Sequence, residues 1–376
     1  MHRAVLIGPT YPYRGGIAHY TSLLFEALRR EDIDTLLVSF SRQYPRWLYP
    51  GASDKDNSET PARTVEANYW LDSVNPWTWI SVFRRIRRFG PTRLILQWWT
   101  GYWGLVWLTL LYLNRWLLKC PVTIICHNVV PHDSRVWERW LAQRVLLHAD
   151  RCVVHTEAER NRLNQLVPYM PVSVVPMPPF DLFLRYRTRA AVARTQLGIP
   201  NGVPVVLFFG IVRPYKGLQD LLRAMPAILT EAPSALLVVA GEFWVNRSEY
   251  DSMIAKLGIR DNVTIDDRYI PDDEVGLYFS AADLAAFPYL RASGSAALQT
   301  AISFGLPIVA TDAVRSERLD NVSCVHWTAT ANPNALAKAI SEQLQQSRDN
   351  CNGVYKGSGR GDLGWAELAK QVMKAT

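Results

Sequence analysis

Two cations stand close together in a glycine-containing turn in the second half of the chain. Arg213 and Lys216 follow an apolar run that ends at Gly210, and Gly217 comes directly before a helical pattern. Free amides at a helix N-terminus attract anions, and two cations beside them suit a diphosphate. Charge alone leaves a solvated basic turn as the alternative.

The first half has candidate residues at the ends of its strand-like runs. Gly15 and Gly16 mark a tight turn between the first apolar run and the first helical pattern. His127 follows the buried run 122–126, and parallel sheets bind ligands at the carboxyl ends of their strands. A plain turn and a hydrogen-bonded structural histidine are the alternatives. His132 is interpreted as structural.

Four further candidates of this kind lie in the second half. Glu242 follows a strand-like run and is either a ligand or an exposed turn carboxylate. Ser293, Gly294 and Ser295 precede the helical pattern 296–304, where hydroxyls and free amides suit phosphate or sugar oxygens. A plain Ser/Gly helix cap is the alternative for these three residues.

The elements that must position these residues follow the same order twice. Each half alternates apolar strand-like runs with amphipathic helical patterns, which predicts an α/β fold with two doubly wound Rossmann-like domains. The proline cluster PMPPF interrupts regular structure near residue 180. We expect domains at 1–180 and 181–362, with a C-terminal helix at 363–376 that docks back on the first. Residues 41–68 are predicted to form a long loop.

One apolar segment, 94–118, is long enough to cross a membrane, although Gln97, Asn114 and Arg115 interrupt it. A buried strand at 94–98, a glycine break and a buried helix at 105–118 explain it as well, and this interpretation is favoured. Because the segment also contains tryptophans and tyrosines, a helix that lies on a membrane surface is a further alternative.

Composition limits the remaining possibilities. Hydrophobic residues make up 49% of the 376 and charged residues 20%, as in an ordinary globular enzyme. The excess of 41 Lys and Arg over 34 Asp and Glu favours anionic partners, but no basic stripe with interleaved aromatics indicates nucleic acid. Five scattered cysteines without CxxC spacing and the absence of a leader pattern indicate the cytoplasm.

The turn Gly210, Arg213, Lys216 and Gly217 resembles the donor-diphosphate motif of family 4 of the retaining glycosyltransferases, which have the GT-B fold. The resemblance covers essentially the whole chain. It implies two Rossmann-like domains facing one another across a cleft. It also implies that Gly15 and Gly16 line the acceptor side and the donor phosphates, that His127 contacts the donor sugar, and that Glu242 matches the family's acidic position.

Residues 281–312 resemble the family's sugar-nucleotide motif in their flanks but depart from it in the centre. Two glutamates that the family places eight residues apart would fall at Ala292 and Thr300. In their place, Ser293, Gly294 and Ser295 are expected to hold the phosphate, with Thr300 or Gln299 as a neutral contact to the ribose.

The resemblance implies transfer of a sugar, with retention, from a nucleotide-diphospho-sugar to a hydroxyl acceptor. A GDP- or UDP-sugar is the favoured donor, and no cofactor or metal is expected. Arg213 and Lys216 would stabilise the leaving diphosphate. A lipid-linked or polysaccharide acceptor, with the enzyme at the inner face of the membrane, is favoured by the tryptophans and the positive charge. A degenerate nucleotide-sugar-binding partner protein and a sugar-nucleotide epimerase are the alternatives.

Overall fold

The computed structural model describes residues 2–130, 136–320, 322–346 and 359–374, so His132 lies outside the described residues. The chain divides into two compact units. Unit 1 comprises Met1–Asp56, Arg63–Pro178 and Asp362–Thr376, and unit 2 comprises Asn57–Ala62 and Pro179–Gly361. The division at Pro178 adjoins the proline cluster, whereas the grouping of Asn57–Ala62 with unit 2 has no signal in the sequence.

Unit 1 is built on a parallel sheet of order β3-β2-β1-β4-β5-β6-β7. Its strands are β1 (Arg3–Ile7), β2 (Asp34–Arg42), β3 (Asn68–Asp72), β4 (Arg93–Trp98), β5 (Val122–Cys126), β6 (Arg151–Val154) and β7 (Val172–Val174). Its helices are α1 (Gly16–Arg30), α2 (Pro76–Phe89), α3 (Gly104–Leu113), α4 (Val136–Leu146), α5 (Glu157–Leu166) and α13 (Gly359–Met373). The order is that of a doubly wound sheet.

The helices of unit 1 cover a sheet whose central strands are buried along almost their whole length, which explains their continuous apolar runs. Helices α2, α3 and α4 pack side by side and share one hydrophobic core. The C-terminal helix α13 docks elsewhere in the same unit. Its Trp365 ring lies 5.1 Å from that of Tyr20 on α1, and Thr123 Oγ1 on β5 donates to the carbonyl of Val372 at 2.9 Å.

The apolar segment 94–118 folds as β4, a short 3-10 turn at Gly101–Trp103, α3 and a π-helical turn at Asn114–Leu118. The strand, glycine break and helix are therefore as predicted. The expectation that the whole helix is buried is wrong, because Leu105, Tyr112 and Trp116 are exposed. Within the described residues, the structure contains no helix with the length and apolarity needed to cross a membrane.

The predicted loop at 41–68 is confirmed apart from its two ends, because residues 43–67 belong to no helix or strand. Strand β2 continues to Arg42, and β3 begins at Asn68. Between them, Lys55 forms an antiparallel bridge with Tyr13, and the amide of Asp56 donates to the carbonyl of Pro12 at 2.8 Å. Within unit 2, the amide of Ala62 donates to Asp272 Oδ2 at 3.1 Å.

Unit 2 repeats the architecture with a parallel sheet of order β10-β9-β8-β11-β12-β13. The strands are β8 (Val205–Phe209), β9 (Leu236–Ala240), β10 (Val263–Asp266), β11 (Leu284–Phe287), β12 (Ile308–Thr311) and β13 (Val325–Thr328). The helices are α6 (Ala190–Gln196), α7 (Leu218–Glu231), α8 (Arg247–Leu257), α9 (Asp272–Ala281), α10 (Ala296–Phe304), α11 (Glu317–Asp320) and α12 (Pro333–Gln345).

One ion pair joins the helical layer of unit 2 to its sheet. Arg194 on α6 binds Asp283 at 2.7 Å, and the same carboxylate accepts the amide of Val205 at the start of β8 at 2.8 Å. The Arg194 side chain is only 8% exposed, so the pair is screened little by solvent. Asp283, near the start of the segment 281–312, therefore has a structural role.

Candidate functional site

The basic turn of unit 2 is fixed where three strands end. Gly210 follows β8, and the Gly241 backbone lies so close that a Cβ there would be 2.4 Å from the Gly210 carbonyl oxygen. On the other side, a Cβ on Gly217 would be 1.8 Å from the carbonyl oxygen of Pro288, which follows β11. Gly217 also has φ +69°. Close packing therefore requires glycine at 217, independently of any ligand.

Arg213 and Lys216 lie within this turn and lack the anionic partners that cations normally have. Among the described residues, neither forms a salt bridge with a carboxylate. Lys216 Nζ lies 5.6 Å from the centre of the Tyr289 ring. Burial, and then the charge of Arg213, lower the pKa of Lys216 to about 8. Two uncompensated cations in a partly buried turn form a site that a bound anion would stabilise.

An aromatic residue supports the Arg213 guanidinium. The Cζ atom of Arg213 lies 4.4 Å from the centre of the Trp244 ring, in a cation–π contact. The indole Nε1 of Trp244 donates to Glu242 Oε2 at 2.9 Å. The Glu242 carboxylate thus holds the ring that packs against Arg213. A direct contact between Glu242 and a donor stays a prediction.

The loop before α10 lies beside the same turn. The amide of Leu290 donates to the carbonyl of Tyr215 at 2.7 Å. Ser295 is the N-cap of α10, because its Oγ accepts the amide of Leu298 at 3.1 Å, and it also lies 3.3 Å from Tyr289 Oη. The helix-cap interpretation of Ser295 is therefore correct, and a donor contact by it is a separate prediction.

The other residues of that loop and helix differ in how accessible they are. Ser293 and Gly294 are partly exposed, and Gly294 has φ +150°. Thr300 is buried, and its hydroxyl donates to the carbonyl of Ala296 at 3.0 Å. Only the lone pairs of the Thr300 oxygen remain for a ribose hydroxyl. Gln299, the other candidate, is also buried.

In unit 1, a chain of hydrogen bonds fixes the proton on His127. Thr21 Oγ1 donates to the carbonyl of Ile17 at 2.8 Å and so accepts from Gln97 Nε2 at 2.7 Å. This orients the Gln97 amide oxygen toward His127 Nε2, 2.7 Å away, which must be the donor. Burial, and then His155, hold the pKa of His127 well below its usual range. His127 is therefore neutral, with Nδ1 as an acceptor.

The glycine turn of unit 1 is fixed by the loop that follows β2. Gly15 has φ +97° and precedes Gly16, the first residue of α1. Arg14 Nε donates to Tyr49 Oη at 3.0 Å, and the amide of Arg14 donates to the carbonyl of Asp54 at 3.1 Å. No side chain caps the N-terminus of α1. The amides of Ala18 and His19 donate to the carbonyl of Gly15, so it is the amides of Gly16 and Ile17 that are available to an anion or a hydroxyl.

Comparison with known proteins identifies families whose sequences the chain matches. The family model described as "Glycosyl transferase 4-like domain" matches residues 15–179, and "Glycosyl transferases group 1" matches residues 203–346. D-inositol 3-phosphate glycosyltransferase from Nocardia farcinica is 29% identical over 384 residues, covering 93% of this chain and 73% of its own. The two family models together cover most of the chain, which is therefore a glycosyltransferase.

Solved structures show the same fold. Sucrose-phosphate synthase from Thermosynechococcus elongatus has a TM-score of 0.66 at 18% identity, with 99% of both chains covered. Anabaena HepE in complex with UDP-glucose has a TM-score of 0.67 at 16% identity, covering 99% of this chain and 95% of its own. The prediction of two Rossmann-like halves with a GT-B architecture is confirmed.

The structure of this glycosyltransferase adds residues that the sequence did not indicate. Trp244 supports Arg213, and Gln97 fixes the His127 tautomer. Gly8, after β1, makes room for Gln97, since a Cβ there would lie 2.3 Å from Gln97 Nε2. The sequence could have pointed to Gln97, because a polar residue within a fully buried strand needs hydrogen-bond partners. No group of three or more potential ligand side chains is placed to hold a metal ion within the residues described.

Proposed function

We propose that this glycosyltransferase moves a sugar, with retention, from a nucleotide-diphospho-sugar to a hydroxyl acceptor. The observation that supports it best is the pair Arg213 and Lys216, two cations without a carboxylate partner in the described part of unit 2. A diphosphate would supply the missing negative charge. The solved HepE complex holds UDP-glucose, which supports a UDP-sugar as the first donor to test.

The proposed reaction needs charge stabilisation at the leaving group. The bond between the anomeric carbon and the diphosphate oxygen breaks, and a bond forms from the same carbon to the acceptor oxygen. Arg213 and Lys216 stabilise the charge that develops on the diphosphate, which favours the transition state over the ground state. The acceptor hydroxyl passes its proton to the departing phosphate oxygen.

Unit 1 contributes a neutral acceptor atom. Because His127 Nε2 donates to Gln97, Nδ1 can accept a hydrogen bond from a sugar hydroxyl but cannot donate one. A neutral imidazole also avoids repelling positive charge that develops at the anomeric carbon. His127 therefore acts in the proposed reaction as an orienting group for the donor sugar. Its replacement by alanine should lower the transfer rate, and full transfer activity would refute this role.

The donor site is tested by a thermal-shift panel of UDP-, GDP-, dTDP- and ADP-sugars. The best donor should raise the melting temperature of the wild type but not of the Arg213→Ala plus Lys216→Ala variant. Lys256→Ala plus Arg260→Ala is the matched control, because it removes two exposed cations of the same unit. A panel without any shift would refute the proposed donor site.

Transfer is then measured with the best donor and candidate lipid-linked and saccharide acceptors. The anomeric configuration of the product, read by NMR, should equal that of the donor. An inverted product would refute retention. Donor binding without transfer to any acceptor would instead indicate a nucleotide-sugar-binding partner protein.

A further inference from the structure

The layer of helices α2, α3 and α4 in unit 1 exposes many large apolar side chains. Among the described residues, all exposed large apolar side chains except Val192 and Leu290 belong to unit 1. More than half of those in unit 1 lie on this layer or directly after its helices: Trp77, Leu105, Tyr112, Trp116, Leu117, Trp137, Trp140 and Leu147. Clusters of this kind on a folded protein mark a docking surface.

Helix α3 is apolar on both of its faces. Val106, Trp107 and Leu110 face the core. The opposite face presents Leu105, Tyr112 and, in the following turn, Trp116, at spacings that align them on one side. A surface helix normally has polar residues there. Leu105 is 64% exposed and Trp116 is 75% exposed. The outer face of α3 is therefore suited to contact with an apolar partner.

The outer face of α4 continues this surface. A Cβ on Gly104 of α3 would lie 2.2 Å from Leu141 of α4, so the two helices pack closely. At the other end, the rings of Tyr112 and His148 are 4.7 Å apart in an edge-on contact. Helix α4 adds Trp137 and Trp140, each about half exposed. We call the residues Leu105, Tyr112, Trp116, Trp137 and Trp140 the aromatic surface.

Arginines accompany the aromatic surface. Arg115 and Arg144 both lie near His148 and, after burial, are the charges that lower its pKa. The Arg144 guanidinium lies 5.4 Å from the centre of the Trp140 ring. Helix α2, which packs on α3, adds the exposed arginines 84, 85, 87 and 88, and its sequence has no acidic residue. The surface is thus apolar, aromatic and positively charged together.

We propose that the aromatic surface docks on an anionic lipid bilayer. Tryptophan and tyrosine prefer the boundary between headgroups and acyl chains, and arginine places its stem in the apolar region while its charge contacts lipid phosphates. A second copy of the chain on this surface would oppose arginines with arginines. The docking needs no nucleotide sugar, so it can be tested separately from the proposed transfer reaction.

Co-sedimentation with vesicles tests this assignment. The wild type should bind vesicles of equal parts phosphatidylcholine and phosphatidylglycerol, and binding should weaken as salt is added. Arg115→Gln plus Arg144→Gln should weaken it about 30-fold, or about 2 kcal/mol, because each arginine near an anionic surface contributes about half of that. Trp116→Ser plus Trp140→Ser should weaken it at least about tenfold.

The matched control removes exposed aromatics elsewhere in unit 1. Trp47→Ser plus Tyr169→Ser should leave vesicle binding unchanged, since both side chains are highly exposed and lie outside the aromatic surface. The proposal is overturned if the wild type does not bind the vesicles at low salt. It is also overturned if the control variant loses as much vesicle binding as Trp116→Ser plus Trp140→Ser. If wild type forms a dimer that Trp116→Ser plus Trp140→Ser abolishes, without binding vesicles, the surface is an interface between copies.

Discussion

Replacing Arg213 by glutamine should change how donor binding depends on pH. Burial and the Arg213 charge together lower the pKa of Lys216 to about 8. At that pKa about nine in ten Lys216 side chains are charged at about pH 7, and about nine in ten are neutral at about pH 9. If the ammonium binds the diphosphate, wild-type affinity falls about tenfold across this interval, or about 1.4 kcal/mol. Without Arg213, the pKa rises and the fall becomes smaller.

Isothermal titration with UDP-glucose, or with the best donor of the panel, measures this effect. The Lys216→Met variant keeps an apolar stem of similar length and has nothing to titrate, so its own pH dependence reports the nucleotide alone. The ratio of wild-type to Lys216→Met affinity should therefore decrease across the interval. A constant ratio, or a fall in the Arg213→Gln variant as steep as in wild type, would refute the reasoning.

Three further substitutions test individual contacts. Trp244→Leu removes the ring beneath Arg213, a contact of about 0.5–2 kcal/mol, so donor affinity by calorimetry should fall about 2- to 30-fold; unchanged affinity would contradict this role. Gly8→Ala places a methyl group against Gln97 and should lower the free energy of unfolding in urea by about 1–3 kcal/mol. A Gly8→Ala variant as stable as the wild type would show that the Gln97 side chain can move away without cost. Arg194→Met removes the charged partner of Asp283, which still accepts the amide of Val205, and should lower the free energy of unfolding by about 1.5–3 kcal/mol, whereas a loss below about 0.5 kcal/mol would mean that the pair is dispensable.

Most of the sheet could be predicted from the sequence, because a parallel strand buried on both faces is a continuous apolar run. The edge strand β3 (Asn68–Asp72) was not predicted, because it lacks such an apolar run. It is short, pairs with β2 on one side only, and its register with β2 shifts twice. The exposure of the outer face of α3 was not predicted for another reason. A helix that is apolar on all sides has the sequence pattern of a buried helix.

The candidate site could be predicted only where its residues are neighbours in sequence. Arg213 and Lys216 share one turn, so their pairing follows from local order. By contrast, the contact of Gln97 with His127 depends on how two adjacent strands align, and the support of Arg213 by Trp244 depends on the packing of two loops. These contacts arise from tertiary structure and leave no local pattern.

The affinity of the Arg213→Gln plus Lys216→Met variant for UDP-glucose, or for the best donor of the panel, tests the central claim most directly. Each charge-assisted contact to a phosphate contributes about 1.5–3 kcal/mol, so loss of both should weaken binding at least about 100-fold at neutral pH. The Lys256→Met plus Arg260→Gln control should bind as wild type does. A double variant that stays within about threefold of wild type would contradict the claim that this turn holds the donor diphosphate.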